Sequence, residues 1–235
     1  MRRMLCAAMG LWLAIAGPGF GQTAGAAPVV VELYTSQGCS SCPPADAVLA
    51  GLALRNDVIA LALHVDYWDY IGWKDTFADP AYSGRQRAYA RVAGASTVYT
   101  PQMIVGGMDH VVGIRAEEVD ALIRRYGAGP APVTLDVART GGQVQVRARA
   151  AAPLANGAVV QLVRYRARER VEIVLGENAG RIIDYANIVT AWTPVADWDG
   201  RSELSLTLAA PVFDSDALIV QVPGPGPILA AGALR

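Results

Sequence analysis

Two cysteines separated by two residues stand where an apolar run meets an alanine-rich helical pattern. Cys39 and Cys42 follow the apolar segment 28–34 and precede Pro43 and Pro44. Proline lacks a backbone N–H and suits the first turn of a helix, so this turn is expected to end a strand and begin a helix. The C-x-x-C spacing in such a setting is typical of a redox motif. Any fold for this chain must therefore accommodate a sulfur-bearing turn between a strand and a helix.

The segments around the cysteines predict a strand–helix–strand unit. Residues 29–34 are β-branched and almost continuously apolar, as buried strands are. Residues 45–54 have a helical pattern, and residues 58–65 form a second apolar strand. This spacing predicts parallel strands joined by a right-handed crossover. The cysteines would then lie at the carboxyl end of the first strand, where open α/β sheets place their sites.

Further elements follow in the first half of the chain. The spacing of apolar residues predicts helices over 80–93 and 116–126. Between them, residues 102–105 and 108–112 read as two strands, and Gly106-Gly107 reads as the hairpin turn that joins them. The first half therefore alternates strands and helices.

The character of the sequence changes after residue 127. Residues 128–132 are rich in glycine and proline and are predicted to be a linker. Short strand-like segments follow, divided by turn residues at regular intervals, which favours an antiparallel sandwich. The predicted strands are 133–138, 143–150, 158–165, 170–175, 181–189, 203–208 and 217–222.

Length bounds the number of domains, and the charge balance argues against nucleic-acid binding. The chain has 235 residues, of which 53% are hydrophobic, so one large domain or two ordinary ones can bury a core. The 20 Lys and Arg residues nearly balance the 21 Asp and Glu residues. Without a basic field there is no electrostatic reason to expect nucleic acid as a partner.

The first 27 residues have the pattern of a signal peptide. Arg2 and Arg3 precede a short apolar run at 5–16, and residues 24–26 offer a small-x-small cleavage site. The apolar run is too short to span a bilayer comfortably. We expect an exported protein, periplasmic or secreted, with no stable membrane span after cleavage. Cleavage would leave two cysteines in an oxidising compartment, where they can pair.

Several segments, taken in order, carry a resemblance to a known family. Residues 29–126 resemble the thioredoxin superfamily. The whole chain resembles a family of exported bacterial proteins of unknown function that combine a thioredoxin-like half with a β-rich tail. The segments that carry this closer resemblance are 34–46, 64–75, 85–90, 98–107, 176–181 and 225–232.

The resemblance implies an α/β fold class, with a thioredoxin-like N-terminal domain and a C-terminal antiparallel β-sandwich-like domain. It divides the chain into a signal peptide (1–27), a thioredoxin-like domain (28–127), a linker (128–132) and a β-rich domain (133–235). By position, Cys39 would be the attacking cysteine and Cys42 the resolving one. Pro101 would be a cis-proline facing the disulfide, and Thr100 before it would pair with a bound peptide.

An aromatic and acidic segment, residues 66–77, follows the second strand. Tyr67 and Trp68 combine an apolar ring with a polar group, which suits a half-exposed recognition surface, so they are predicted to bind substrate. The alternative is that these rings cap the sheet and pack against the β-rich half. Asp66 and Asp69 indicate acid–base chemistry only faintly.

The leading hypothesis is an exported thiol–disulfide oxidoreductase that acts on protein or small-molecule thiols and disulfides, without a cofactor. One alternative is a soft-metal module, in which Cys39, Cys42 and His64 hold Cu(I) with Met103 as a thioether ligand. His64 alone reads as a buried histidine with a satisfied hydrogen bond. Another alternative is an inert local disulfide inside an interaction protein.

Overall fold

The computed structural model describes residues 27–209 and 215–234. The predicted signal peptide lies outside the described residues except for Ala27. Along the part that is described, no helix has both the length and the apolar character needed to cross a membrane.

The first half of the described chain contains the predicted alternation of strands and helices. Strand β1 (Val29–Thr35) is buried at every position, as its almost continuously apolar sequence predicts. Asp79 caps helix α2 (Pro80–Val92), because its carboxylate accepts a hydrogen bond from the Ala81 N–H at 2.8 Å. The elements are β1 (Val29–Thr35), α1 (Pro43–Leu52), β2 (Val58–His64), a short 3₁₀ helix (Asp69–Ile71), α2 (Pro80–Val92), β3 (Gln102–Val105), β4 (Asp109–Val112) and α3 (Ala116–Gly127).

The second half consists of strands. The segments predicted as separate strands at 158–165 and 170–175 form one long strand, because the charged residues between them continue the hairpin pairing with the next strand. The strands are β5 (Val133–Thr140), β6 (Gln143–Ala150), β7 (Ala158–Ile173), β8 (Arg181–Trp198), β9 (Leu204–Ala209), β10 (Ser215–Gln221) and β11 (Ile228–Leu234).

The predicted fold class is wrong. Strands of both halves join one mixed sheet of eight strands in the order β11-β10-β7-β8-β2-β1-β3-β4, and β5, β6 and β9 form a second, three-stranded sheet. The described chain is mostly β and has only three α-helices, so it is not a thioredoxin-like domain followed by a separate sandwich. The division of the chain at 128–132 stays a prediction.

The two halves meet along β2 and β8. These strands run parallel, and their pairing is short, with Ala62 opposite Ile188. The Asn187 side chain in β8 adds a hydrogen bond of 2.8 Å to the carbonyl of Ala60 in β2. A single pairing between distant segments leaves no local pattern in the sequence, which is why the prediction separated the halves.

Three hydrophobic cores follow from this arrangement. One lies under α2 and includes residues of both halves, such as Tyr34 of β1 and Val163 of β7. A second packs α1 and α3 against the other face of β1 and β2. The third lies between the two sheets. The loops at the carboxyl end of β1 and β2 thus rest on cores that fix their position.

Candidate functional site

The two cysteines form a disulfide in the turn between β1 and α1. Cys39 and Cys42 are bonded, with their Cα atoms 5.4 Å apart. The N–H of Cys42 donates to the carbonyl of Cys39 at 3.1 Å. Helix α1 then begins with Pro43. The predicted turn is therefore present, with both sulfur atoms at the helix start.

Both cysteines are buried although the residues between them are not. Cys39 is 1% exposed and Cys42 is 0% exposed. Ser40 and Ser41 are exposed, and the Ser41 hydroxyl lies 3.4 Å from the sulfur of Cys39. A partner molecule therefore reaches the turn through its serines but cannot reach the sulfur of Cys39 without some displacement of its surroundings.

The Thr100–Pro101 segment lies close to the start of α1. The peptide bond between these residues is cis. A Cβ built on Gly113 would lie 2.9 Å from the Cβ of Ala45 and 3.1 Å from the Cβ of Pro101. The backbone of Gly113 therefore separates Pro101 from the first turn of α1, and only glycine fits this gap.

Trp68 connects the disulfide turn to this proline segment. Its indole N–H donates to the Thr100 hydroxyl at 2.8 Å. A Cβ built on Gly38 would lie 3.2 Å from the Cβ of Trp68 and 3.2 Å from the Cδ1 of Ile71, so both residues pack against the backbone just before Cys39. The structure thus brings Trp68, Thr100 and the cysteine turn together.

Tyr67, the second predicted substrate-binding aromatic residue, is hydrogen-bonded to helix α2. Its hydroxyl donates to the side chain of Gln86 in α2 at 3.0 Å, and burial raises its pKa to about 12. Gln86 in turn donates to the carbonyl of Tyr99, next to Thr100. Tyr67 therefore supports the proline segment from the side of α2, and its predicted role in binding substrate stays a prediction.

Asn178 is a site residue that the sequence analysis did not identify. It lies in the loop between β7 and β8, and it is 1% exposed. Its side-chain N–H₂ group donates to the carbonyls of Gln37 and Cys39, each at 2.9 Å. In the sequence, only the family resemblance distinguishes segment 176–181. No local pattern indicates that this loop contacts a turn 139 residues earlier in the chain.

Behind the turn lies a buried pair formed by His64 and Asp75. The Nδ1 atom of His64 is 2.7 Å from a carboxylate oxygen of Asp75, and both side chains are fully buried. Burial raises the pKa of Asp75. The electrostatic attraction and the hydrogen bond of His64, together with the N–H groups of Gln37 and Phe77, more than offset this effect and hold the pKa of Asp75 below its usual value. Asp75 thus also anchors the backbone of Gln37, two residues before Cys39.

Asp46 lies on α1, one helical turn after Cys42. An acidic residue in the first turn of a helix usually lies at the surface, yet Asp46 is only 3% exposed. One carboxylate oxygen accepts a hydrogen bond from the Thr35 hydroxyl at 2.8 Å. Burial raises the pKa of Asp46 to about 7, although His64 and Thr35 act in the opposite direction.

Unpaired polar atoms are concentrated around this turn. Five buried side-chain atoms in the described part of the chain have no hydrogen-bond partner, and all belong to residues that contact or adjoin the groups above. They are Gln37 Nε2, Asp46 Oδ2, His64 Nε2, Asn178 Oδ1 and Tyr185 Oη. Tyr185 belongs to β8, and its ring lies 4.9 Å from that of His64. Buried polar atoms are normally paired, so this concentration distinguishes the surroundings of the turn from the rest of the described chain.

The geometry gives no support to the metal alternative. No cluster of three or more His, Cys, Asp or Glu side chains suited to a metal ion occurs within residues 27–209 and 215–234. Met103 is fully buried in the core between α1, α3 and the sheet. His64 is bonded to Asp75, as expected for a buried histidine.

Comparison with known proteins adds two similar structures. The crystal structure of protein AGR_C_4864 from Agrobacterium tumefaciens shares 33% sequence identity with a TM-score of 0.76, and the match covers 89% of this chain and 94% of that one. HBP35 of Porphyromonas gingivalis shares 13% identity with a TM-score of 0.61, over 89% of this chain and 75% of that one, which indicates a common fold alone. No curated protein matches the chain. Residues 30–222 match the family described as "Protein of unknown function (DUF1223)", and the chain belongs to this family.

Proposed function

We propose that the protein is an exported thiol–disulfide oxidoreductase whose redox pair is Cys39 and Cys42. The observation that carries this proposal is the placement of the disulfide. It lies between the carboxyl end of a central strand and the start of a helix, in a turn that packs against Trp68 at Gly38 and adjoins buried polar atoms without partners. Trp68 in turn donates a hydrogen bond to Thr100.

A purely structural role explains this placement poorly. The two cysteines are only three positions apart, so the bond restricts the unfolded chain less than a bridge over a long loop would. The cysteine turn is already held by backbone hydrogen bonds and by Asn178. A stapling disulfide would also not require unpaired polar groups near it.

The exchange proceeds through a mixed disulfide. In the oxidised protein, a thiolate of a partner dithiol attacks the sulfur of Cys39, the bond between Cys39 and Cys42 breaks, and Cys42 leaves as a thiolate that takes up a proton. The second thiolate of the partner then attacks the mixed disulfide and releases Cys39. The partner loses two electrons and becomes a disulfide, and the cysteine pair gains them. The reverse sequence reduces a partner disulfide, with Cys39 attacking and Cys42 resolving.

The helix start favours the thiolate form. Pro43 and Pro44 have no N–H, and the N–H groups of Ala45 and Asp46 donate to the carbonyl of Cys42. Helix α1 therefore acts on the sulfurs through its macrodipole rather than through direct N–H contacts. The Ser41 hydroxyl near Cys39 supplies a hydrogen-bond donor for a thiolate at that position.

Asp46 is a buried group near the cysteine pair that can bind and release a proton. Its carboxyl group has a pKa of about 7, so both protonation states are populated at neutral pH. Residues 42 and 46 share one face of the helix, since they are four positions apart. The protons that the cysteines take up and release during exchange can therefore be balanced by a neighbouring buried group.

The proposal is tested by catalysis of insulin reduction in the presence of dithiothreitol. The wild-type protein should accelerate the reaction, and Cys39→Ala should remove the acceleration. Ser40→Ala is the matched control, because Ser40 is an exposed residue of the same turn, and it should retain the activity. Equal rates for wild type and Cys39→Ala would overturn the proposal in favour of an inert disulfide.

A further inference from the structure

The loop between β7 and β8, residues 174–180, reaches the disulfide turn from the second half of the chain. Most of the loop is exposed, including Val174 and Leu175. Asn178 is its only fully buried residue, and Gly176 packs beside Trp73. The loop therefore contacts the cysteine turn mainly through one side chain.

The Asn178 amide satisfies two backbone carbonyls at once. Its two N–H bonds serve the carbonyls of Gln37 and Cys39, which lie two residues apart in the turn. These are the kind of hydrogen bonds that a peptide backbone makes when it lies along another segment of chain. The side chain thus occupies a position that backbone N–H groups of a bound polypeptide can take.

This attachment is incomplete. The carbonyl oxygen of Asn178 is buried and has no hydrogen-bond partner. A buried, unpaired acceptor costs free energy, and water would satisfy it if the loop moved outward. Part of the stabilisation from the two N–H bonds is therefore offset, and the loop is held less firmly than two bonds alone would hold it.

We propose that the Asn178 side chain makes the two hydrogen bonds that the backbone of a bound polypeptide substrate would make, and that substrate binding displaces the loop from the disulfide turn. This inference rests on the proposed function and specifies its substrate as a cysteine-containing polypeptide rather than a small thiol. Cys39 is 1% exposed with the loop in place. A polypeptide replaces both lost hydrogen bonds through its own N–H groups, whereas a small thiol without N–H groups leaves both carbonyls unpaired.

The first test uses the wild-type protein and two reduced peptides. Each peptide contains two cysteines, and one of the peptides is N-methylated at the backbone positions flanking the first cysteine. Reduction of the Cys39–Cys42 disulfide, followed by quenched mass spectrometry, should be at least about fivefold faster with the unmethylated peptide, because two hydrogen bonds are lost on methylation. Equal rates would overturn the inference, and this result does not depend on any variant folding correctly.

The second test uses Asn178→Asp, which keeps the side-chain size and removes the N–H₂ donor. Reduction by dithiothreitol should be severalfold faster than in the wild type, because the loop no longer holds the turn. Asn187→Asp is the matched control. It removes the same donor from a hydrogen bond to the Ala60 carbonyl, elsewhere between the two halves, and should leave the rate unchanged. Unchanged kinetics in Asn178→Asp, or the same acceleration in both variants, would contradict the inference.

The proposed function and the polypeptide inference can be disproved independently of each other. If Cys39→Ala matches the wild type in insulin reduction, the proposed function itself is wrong. If the wild type is active but does not distinguish the two peptides, only the polypeptide inference is wrong.

Discussion

Two buried carboxylates on opposite faces of the large sheet are treated very differently by their surroundings. Glu32 of β1 faces α2, and each of its oxygens accepts two hydrogen bonds, from Arg85, Tyr34 and Tyr89. Asp46 belongs to α1, on the other side of the sheet. One of its carboxylate oxygens accepts a hydrogen bond from Thr35, and the other has no hydrogen-bond partner. The first group is fixed by a complete network, and the second retains capacity to bind a proton.

The Glu32 network holds the fold together, whereas the surroundings of Asp46 adjoin the proposed site of reaction. Around Glu32, Arg85 also donates to Gln221 of β10 and lies 3.8 Å from the ring centre of Trp192 in β8, so this network ties the two halves of the chain together. In the region of Asp46 and the disulfide turn, His64 and Tyr185 also have buried atoms without a hydrogen-bond partner. A complete network gives stability and a unique geometry, while an incomplete one gives up stability at a place where reaction is proposed.

The largest expected effect comes from breaking the complete network. Arg85→Ala leaves Glu32 buried without its cation, and we expect a loss of about 3–5 kcal/mol in the free energy of unfolding, measured by urea denaturation. The control is Arg170→Ala, which removes an exposed ion pair with Asp184 and should leave the free energy of unfolding almost unchanged, because water screens exposed pairs. Similar losses in the two variants would show that the Glu32 network is not a structural tie.

The next effect concerns the pH dependence contributed by Asp46. The folded protein holds this proton more tightly than the unfolded chain, since the pKa is about 7 against a usual 3.8. The stabilisation is therefore complete below about pH 4 and is lost as the pH rises to 7. Relative to Asp46→Asn, the free energy of unfolding of the wild type should fall by something on the order of 2–4 kcal/mol across this range.

This prediction is checked by urea denaturation of both proteins at several pH values between 4 and 8. A constant difference between wild type and Asp46→Asn at all pH values would contradict the assignment of a titrating Asp46.

A smaller effect is expected at the edge of the site. Trp68→Phe retains an aromatic side chain and the Cβ that packs against Gly38 but loses the hydrogen bond to Thr100. The free energy of unfolding should fall by about 0.5–1.5 kcal/mol. Insulin reduction should weaken further than this loss of stability explains, because the proline segment is no longer tied to the cysteine turn. Unchanged activity with reduced stability would limit Trp68 to a structural role.

Local chemistry accounts for what the sequence could predict. The buried strand β1, the start of α1 at Pro43 and the hairpin at Gly106 each depend on residues a few positions apart, and all were predicted in place. At Gly106 and Gly107 the backbone φ angles are +62° and +72°, a combination that glycine adopts readily. Such features are determined by sequence neighbours, so a pattern in the sequence indicates them.

Long-range contacts account for what the sequence could not predict. The single pairing of Ala62 with Ile188 merges the two halves into one sheet, and Asn178 reaches Cys39 from the far hairpin. In the sequence Asp46 likewise resembles an ordinary acidic residue of a first helical turn, and only the fold shows that it is buried and hydrogen-bonded to Thr35. These residues have no distinguishing neighbours along the chain, so their roles depend on the tertiary fold.

The most direct test of the account is the trapping of a mixed disulfide. In Cys42→Ser, the thiol of Cys39 can attack the disulfide of insulin but cannot be released by its neighbour, so a covalent adduct should accumulate on a non-reducing gel. Mass spectrometry should place the bond at Cys39, and Cys39→Ser should form far less adduct. Absence of adduct with Cys42→Ser, or equal adduct with both variants, would contradict the claim that this turn is a disulfide-exchange centre.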